Sequence, residues 1–180
     1  MNHKIMKIMY LGTTSNIEDY LHYYGKVDST QEKITATDIK KYDWVISYGY
    51  RHIIKPDVIQ AAKNPIINLH ISYLPWNRGG APNYFSWKYD TPKGVTIHQI
   101  NEGLDTGDIY VQKEVQFTGE ETLATSYDKL KIEIESLFIT HFDSIINYRI
   151  LGSKQVGEGS YHTTKELPSN IDYNTKVLDI

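Results

Sequence analysis

The sequence contains no cysteine, and this absence removes several classes of chemistry at once. Without a thiolate there is no disulfide framework, no cysteine nucleophile, no thiolate zinc site and no iron–sulfur cluster. No apolar run approaches the roughly 20 residues that a membrane helix needs, and residues 1–12 are too short and too polar for a signal peptide. We therefore expect a cytoplasmic protein that has no membrane partner.

An excess of basic residues is also missing. The formal net charge is -3, whereas a nucleic-acid binder neutralises many phosphates with Lys and Arg, so we expect no nucleic-acid partner. With 180 residues, of which 40% are hydrophobic and 23% charged, the chain is typical of one globular domain rather than of a disordered protein. We expect a single catalytic domain over residues 1–151, followed by a short C-terminal extension, residues 152–180, that packs on it.

Short apolar runs alternate with helical spacing along the first half of the chain. Runs at residues 4–11, 42–48 and 65–70 predict three strands. The apolar spacing of residues 17–24 predicts a helix after the first strand, and Pro56 opens a second helix that reaches about Ala62. This alternation is typical of an α/β protein whose mostly parallel, Rossmann-like sheet is covered by helices on both faces.

The second half predicts the remaining strands of the same sheet and a long covering helix. Residues 94–100 and 109–115 alternate apolar and polar side chains and are joined by a glycine-rich turn. Apolar residues recur at helical spacing over residues 121–151, which predicts an amphipathic helix against the sheet. We expect the rest of the chain to be irregular or a hairpin, and Asp38 to cap a single helical turn before the second strand.

Several catalytic and phosphate-binding motifs are missing as well. The chain has no G-x-x-x-x-G-K-[ST] loop, no G-x-G-x-x-G after the first strand, no H-E-x-x-H pair and no G-x-S-x-G elbow. Asp105 and Asp108 alone are a weak metal signal, so we expect no metal.

Polar residues stand where the third apolar run ends. Asn68 and His70 are two residues apart, so on a strand both side chains point to one face. An amide and an imidazole side by side can stabilise an oxyanion and move a proton, although a turn-capping Asn and a buried, hydrogen-bonded His are the structural alternative. Asp105, in a glycine-punctuated loop between two strands, could orient the imidazole.

The combined pattern resembles the folate-dependent formyltransferase family. The matching residues are Asn68-x-His70 with Ser72-x-Leu74-Pro75, then residues 94–98 running into residues 104–109, and upstream residues 49–56. The family includes phosphoribosylglycinamide formyltransferase, methionyl-tRNA formyltransferase and the sugar N-formyltransferases of bacterial surface polysaccharides. The resemblance implies a Rossmann-like fold and transfer of a formyl group from 10-formyltetrahydrofolate to a primary amine.

The resemblance also implies roles for individual residues. Asn68, His70 and Asp105 match the catalytic trio. The segment from Tyr50 to Ile54 matches one that contacts the formyl donor in the family, although core packing explains Ile53 and Ile54 equally well. We interpret His98 as structural or half-exposed. The expected donor contacts are Tyr50, His52, Ile53, Ile54, Gly103 and Leu104.

The loop after the first catalytic element resembles members that act on nucleotide-linked amino sugars. Arg78 could pair with a pyrophosphate, or be merely solvated, and Trp76 or Tyr84 could stack on a ring. His162 lies in a segment similar to one of the sugar-modifying members, although a surface turn explains it equally well. The candidate substrate contacts are Trp76, Asn77, Arg78, Asn83 and Tyr84.

We therefore expect an amino-sugar N-formyltransferase of lipopolysaccharide O-antigen or related polysaccharide synthesis. The purine enzyme is the alternative, because residues 12–16 resemble its phosphate-binding turn, although two of its glycines are missing. The tRNA enzymes carry a further C-terminal domain, for which residues 152–180 are too few. A non-catalytic folate- or sugar-nucleotide-binding module stays open, and because the family often forms dimers we expect a homodimer.

Overall fold

The computed structural model describes residues 5–180. Two short 3₁₀ turns, Thr164–Glu166 and Val177–Asp179, lie near the C-terminus. The strands are β1 Met6–Gly12, β2 Gly25–Thr30, β3 Trp44–Tyr48, β4 Ile67–His70, β5 Arg78–Gly79, β6 Gly94–Gln99, β7 Ile109–Glu114 and β8 Tyr161–His162. The helices are α1 Asn16–Leu21, α2 Ala36–Ile39, α3 Pro56–Ala61, α4 Pro82–Lys88 and α5 Leu123–Ile146.

Six strands form the central sheet in the order β2-β1-β3-β4-β6-β7. The pairs among β2, β1, β3 and β4 are parallel, whereas β6 and β7 join antiparallel. Helices α1 and α5 pack on one face, and α2 and α3 pack on the other. The predicted Rossmann-like, mostly parallel sheet with helices on both faces is confirmed.

Strand alternation separates an apolar face from a polar one at the centre of the sheet. Leu69 of β4 and Ile97 of β6 join the core cluster that includes Ile134 of α5. Asn68 and His98, one position away, therefore point to the opposite face. The long helix thus anchors the two strands while their polar side chains stay available for a site.

Strand β2 was not predicted, because it is an edge strand paired only with β1 and its residues are half-buried or exposed. The first helix ends at Leu21 rather than Tyr24, and Lys4, the predicted start of the first strand, lies outside the described residues.

The assignment of a helix cap to Asp38 is wrong. Thr35 is the cap, and Asp38 occupies the third helical position, where its carboxylate accepts a hydrogen bond from Thr35 N at 2.8 Å. The two side chains form a reciprocal capping box, which the spacing T-x-x-D allows.

Helix α5 is shorter than predicted and α4 is an addition to the prediction. Thr122 caps the start of α5, and the helix ends at Ile146 because Tyr148 adopts a positive φ of 55° and the chain turns away. Pro82 begins α4 in the segment treated as a loop, and Phe85 is buried there.

The C-terminal residues run along the body rather than forming a hairpin. β8 pairs in parallel with β5, Ser153 bridges Ile109 of β7, and Val177 N donates to Glu121 O at 2.9 Å. The segment therefore packs against β5, β7 and the residue range that precedes α5. Within residues 5–180 no helix combines the length and the apolar character needed to cross a membrane.

Candidate active site

The register of three strands brings polar side chains into one row. Asn68 of β4 lies opposite Ser47 of β3 on one side and opposite His98 of β6 on the other. His70 ends β4, two residues further along the same face. The Asn68 amide nitrogen is 3.1 Å from His98 Nε2, so the central strand and its antiparallel neighbour share a direct contact.

Asp105 completes the group from the loop between β6 and β7. Its Oδ2 accepts a hydrogen bond from Gly79 N at 2.8 Å and lies 3.7 Å from His70 Nε2. Its Oδ1 lies 3.6 Å from His98 Nε2. The structure thus brings Asn68, His70 and Asp105 together, as the resemblance implies, and adds His98 to them.

Carbonyl partners determine which ring nitrogens carry protons. His70 Nε2 lies 3.2 Å from Asn77 O, and His98 Nδ1 lies 2.8 Å from Gln99 O. Because a carbonyl oxygen can only accept, each of these nitrogens donates a proton. His98 in its neutral form therefore presents a lone pair at Nε2, toward Asn68.

Electrostatics hold Asp105 charged and His98 neutral. Burial by itself raises the pKa of the Asp105 carboxyl, but His70, His98 and the Gly79 N–H outweigh it and keep that pKa below its usual range. Burial lowers the pKa of His98 to about 4, against the opposing pull of Asp105. At neutral pH the site therefore holds a carboxylate beside a neutral, buried imidazole.

Two supports hold the Asp105 loop in place. Gly79 has a φ of 89°, and a Cβ there would stand 2.3 Å from His162 O, so only glycine can present its N–H to Asp105 without displacing β8. From the C-terminal extension, Gln155 Nε2 donates to Asp105 O at 2.8 Å and to Gly107 O at 2.9 Å. The extension therefore contributes directly to the geometry of the carboxylate.

A cavity of about 400 Å³, called the donor cavity below, opens beside this group. Ile53 is 83% exposed and Leu104 46% exposed at its edge, whereas Ile54 is buried in the core cluster with Val58. Exposed aliphatic side chains around a cavity indicate ligand contact more than packing. The lining includes all six expected donor contacts, Tyr50, His52, Ile53, Ile54, Gly103 and Leu104, together with Asn68, His98 and Asp105.

A second cavity of about 410 Å³, called the acceptor cavity below, touches Ile71, the residue after His70. Its lining is mostly apolar and includes the rings of Tyr84, Tyr127 and Tyr173. Asn68 lines the donor cavity and Ile71 the acceptor cavity, so His70 stands between them in the chain.

The expected substrate contacts are divided among different environments. Asn77 is buried and its amide donates to Thr91 Oγ1 at 2.8 Å, while the Asn83 amide donates to Leu123 O at 3.0 Å. Both amide donors are therefore used inside the protein. Trp76 and Arg78 line neither cavity, and the Arg78 guanidinium donates to Glu158 O at 3.2 Å in the extension; of the five, only Asn83 and Tyr84 line the acceptor cavity.

Some site residues were not identified from the sequence. Of the two alternatives for His98, structural or half-exposed, the structure excludes the second, because His98 is 1% exposed; it also contacts Asn68, which the sequence does not indicate. Tyr127 falls within residues 121–151, where the apolar spacing predicts a side chain packed on the sheet, but it is 43% exposed and lines the acceptor cavity. The available signal for His98 was its alternation on β6, whereas the register with β4 that brings it to Asn68 is visible only in the structure. His162, for its part, stacks 4.2 Å from the Phe85 ring.

Fold and site together define a Rossmann-like domain in which an amide, an imidazole and a carboxylate meet at the wall of the donor cavity. The chain belongs to the formyl transferase family, because the family model described as formyl transferase matches residues 6–141. Within residues 5–180 no cluster of three His, Asp or Glu side chains is placed to hold a metal ion.

Relatives and solved structures bear out the family. The methionyl-tRNA formyltransferase of Ehrlichia canis is 34% identical over 161 residues, which are 89% of this chain and 52% of the relative. The chain thus spans about half the length of the curated relatives it matches. The formyltransferase PseJ from Anoxybacillus kamchatkensis, solved with UDP-4,6-dideoxy-4-formamido-L-AltNAc and tetrahydrofolate, is 41% identical, with a TM-score of 0.88 and 95% of both chains covered. A 4-N formyltransferase from Francisella tularensis is 25% identical, with a TM-score of 0.79, covering 89% of this chain and 77% of that one.

Proposed function

We propose that this protein is an N-formyltransferase that moves a formyl group from 10-formyltetrahydrofolate to the primary amine of a nucleotide-linked amino sugar. The observation that carries the proposal is the meeting of Asn68, His70 and Asp105 at the wall of the donor cavity, with Ile71, the residue after His70, lining the acceptor cavity. A transfer between two small molecules needs two binding sites that share one reactive group. A binding module has no need of such a trio.

The proposed reaction exchanges one carbon–nitrogen bond for another. The neutral amine attacks the formyl carbon, a C–N bond forms, and negative charge develops on the formyl oxygen. The bond from carbon to N10 of the donor then breaks, and the proton lost by the amine ends on N10. The products are a formamide and tetrahydrofolate, with no covalent bond to the protein.

Each residue of the trio has a role that its contacts support. Asn68 Nδ2 keeps one hydrogen free of His98 and can donate it to the developing oxyanion. His70 lies next to that position, and the Nε2–H that it donates to Asn77 O in this structure can be donated to the oxyanion instead. The Asp105 carboxylate, ionised because its pKa is depressed, can accept the proton from the attacking amine, directly or through water.

The donor cavity suits a flat, polar ring with an apolar edge. Ile53 and Leu104 offer exposed aliphatic surface, while Asn68 and Asp105 stand at one end as polar partners. Small-molecule sites commonly combine such apolar walls with a few polar groups. The residues present therefore fit a folate as formyl donor, which brings the activated formyl group to the trio.

The acceptor cavity suits a nucleotide-linked sugar. Tyrosine rings stack on planar bases and on sugar faces, and three of them surround this space. Lys88 Nζ stands 5.7 Å from the centre of the Tyr84 ring, so a cation is available beside the cavity for a diphosphate. The similarity to PseJ, whose structure contains a UDP-linked formamido sugar, makes UDP-linked amino sugars the first acceptors to test.

The turn after β1 argues against the purine intermediate as acceptor. Ser15 Oγ already accepts the first-turn amide of α1, from Ile17 N at 3.2 Å. The Glu135 carboxylate accepts a hydrogen bond from Asn16 Nδ2 at 3.1 Å beside the same turn. A phosphate bound there would meet a carboxylate instead of free amides.

The test is tetrahydrofolate release from 10-formyltetrahydrofolate with a panel of acceptors. The panel contains UDP-, dTDP- and GDP-linked amino sugars, phosphoribosylglycinamide and methionyl-tRNA. We expect release only with a nucleotide-linked amino sugar, accompanied by the mass of one added formyl group. Release with methionyl-tRNA or with the purine intermediate alone would overturn the sugar assignment. Folate binding without release for any acceptor would favour a non-catalytic module.

A further inference from the structure

His98 makes a set of contacts that the proposed roles of the trio do not use. It is 1% exposed, its Nδ1 donates to Gln99 O at 2.8 Å, and its Nε2 faces Asn68 Nδ2 at 3.1 Å. The ring is therefore held at both nitrogens in a place that solvent does not reach. Its position in the sheet is set by the pairing of β6 with β4.

The tautomer of His98 decides which way the Asn68 amide can face. An asparagine amide has a donor end and an acceptor end of nearly equal shape. Because Nδ1 of His98 is committed to a carbonyl oxygen, its neutral ring can only accept at Nε2. Only the Nδ2 end of Asn68 can therefore face it, whereas the flipped amide would set two lone pairs against each other at hydrogen-bond distance.

The groups around the ring agree with this assignment. Asp105 Oδ1 lies 3.6 Å from His98 Nε2, too long for a hydrogen bond, and the His70 ring stands 6.1 Å away. Burial lowers the pKa of His98 to about 4, so the ring is neutral at physiological pH despite the nearby carboxylate. A charged His98 would donate to Asp105 and would release the amide.

We propose that His98 is a positioning residue that locks the Asn68 amide in the orientation in which its second N–H is available to the formyl oxygen. This inference rests on the proposed oxyanion role of Asn68. In this proposal the contribution of His98 passes through Asn68, the side chain that its Nε2 contacts at 3.1 Å.

A double-mutant cycle measures that dependence. The variants are His98→Leu, Asn68→Ala and the pair combined, in the full chain, with single-turnover transfer to the acceptor that the panel identifies. We expect His98→Leu to lower the single-turnover transfer rate about tenfold, the worth of one hydrogen bond. In the Asn68→Ala background the same substitution should cost nothing further. His98→Gln, which keeps an acceptor near the position of Nε2, should recover most of the rate.

Equal losses in both backgrounds would assign His98 a general structural role and overturn the inference, while the proposed function would stand. Full activity of Asn68→Ala would instead remove the role of Asn68 itself. If His98→Leu does not fold, His98→Met, whose unbranched side chain fills an irregular space, takes its place.

Nuclear magnetic resonance gives a second measurement that needs no acceptor. In the ¹⁵N-labelled protein at pH 7 we expect His98 to show a protonated Nδ1 and a bare Nε2, and we expect the Asn68 side-chain amide resonance to move in His98→Gln. A protonated Nε2, or an Asn68 resonance that does not respond, would overturn the inference even if no acceptor were known.

Discussion

The donor and acceptor cavities have nearly the same volume but differ in construction. The donor cavity, about 400 Å³, is lined by loops that follow β3 and β6 and carries Asn68, His98 and Asp105 on one wall. The acceptor cavity, about 410 Å³, is lined mostly by apolar and aromatic groups from α4, α5 and the C-terminal extension. Volume therefore does not distinguish them. Under the proposed function, the chemistry lies on strand ends, and recognition of the second substrate lies on helices and the extension.

The two cavities also differ in how many segments of the sequence form their walls. The donor cavity draws mainly on residues 50–54 and 100–105, which are continuous stretches. The acceptor cavity joins Ile71, Tyr84, Tyr127 and Tyr173, which come from distant segments. Substitutions in one cavity should therefore change the KM for one substrate, and substitutions of Asn68, His70 or Asp105 should change the rate of transfer.

The largest effect is expected at the trio of Asn68, His70 and Asp105. His70→Ala should lower the rate of formyl transfer by about a thousandfold or more, because it removes an oxyanion donor and the imidazole that neighbours the Asp105 carboxylate. Tetrahydrofolate and UDP should still bind, which calorimetry can measure. An active His70→Ala protein would contradict the mechanism, and so would active Asn68→Ala or Asp105→Ala variants.

Two matched tyrosine substitutions should each raise the KM for a different substrate. Tyr127→Ala should raise the KM for the nucleotide-linked amino sugar about tenfold and leave the KM for 10-formyltetrahydrofolate unchanged, because one stacking surface is lost. Tyr50→Ala, in the donor cavity, should raise the KM for 10-formyltetrahydrofolate and leave the KM for the amino sugar unchanged. Tyr23→Ala, at an exposed position that lines neither cavity, is the control. If both variants change the same KM, the assignment of separate cavities to separate substrates is wrong.

The smallest effect is a difference in acid sensitivity, since the donor cavity contains a buried histidine. Burial lowers the pKa of His98 from 6.5 to about 4, so below pH 6.5 the unfolded chain takes up a proton that the folded protein refuses. The contribution of the neutral His98 to the free energy of unfolding is therefore fully present above about pH 6.5 and is lost as the pH falls toward 4. The depressed pKa of Asp105 acts in the same direction at lower pH.

Thermal unfolding of the protein and of His98→Met at pH 7.5 and pH 6 tests this. Removal of the histidine should cancel about 1 kcal/mol of the acid-induced loss of stability. The same pH dependence in both proteins would show that another group is responsible.

Much of the fold followed from residue patterns, and the exceptions have a physical cause. The apolar runs predicted β1, β3 and β4, because strands buried on both faces must be apolar. Strand β2 was not predicted, because an edge strand buries little apolar surface and residues 25–30 contain no apolar run. Helix α4 was not predicted, because its segment resembles a substrate-binding loop, although Pro82 is a helix-start signal.

By itself the sequence determined the row of polar residues on β4, since a spacing of two puts Asn68 and His70 on one face of any strand. The motif around Asp105 supplied the third member through its resemblance to a family. Only the tertiary structure decided that His98 contacts Asn68, and that the amide donors of Asn77 and Asn83 are used internally. The reason is that strand register and long-range hydrogen bonds join residues far apart in the chain. A local pattern shows which face a side chain occupies, but not which partner it meets there.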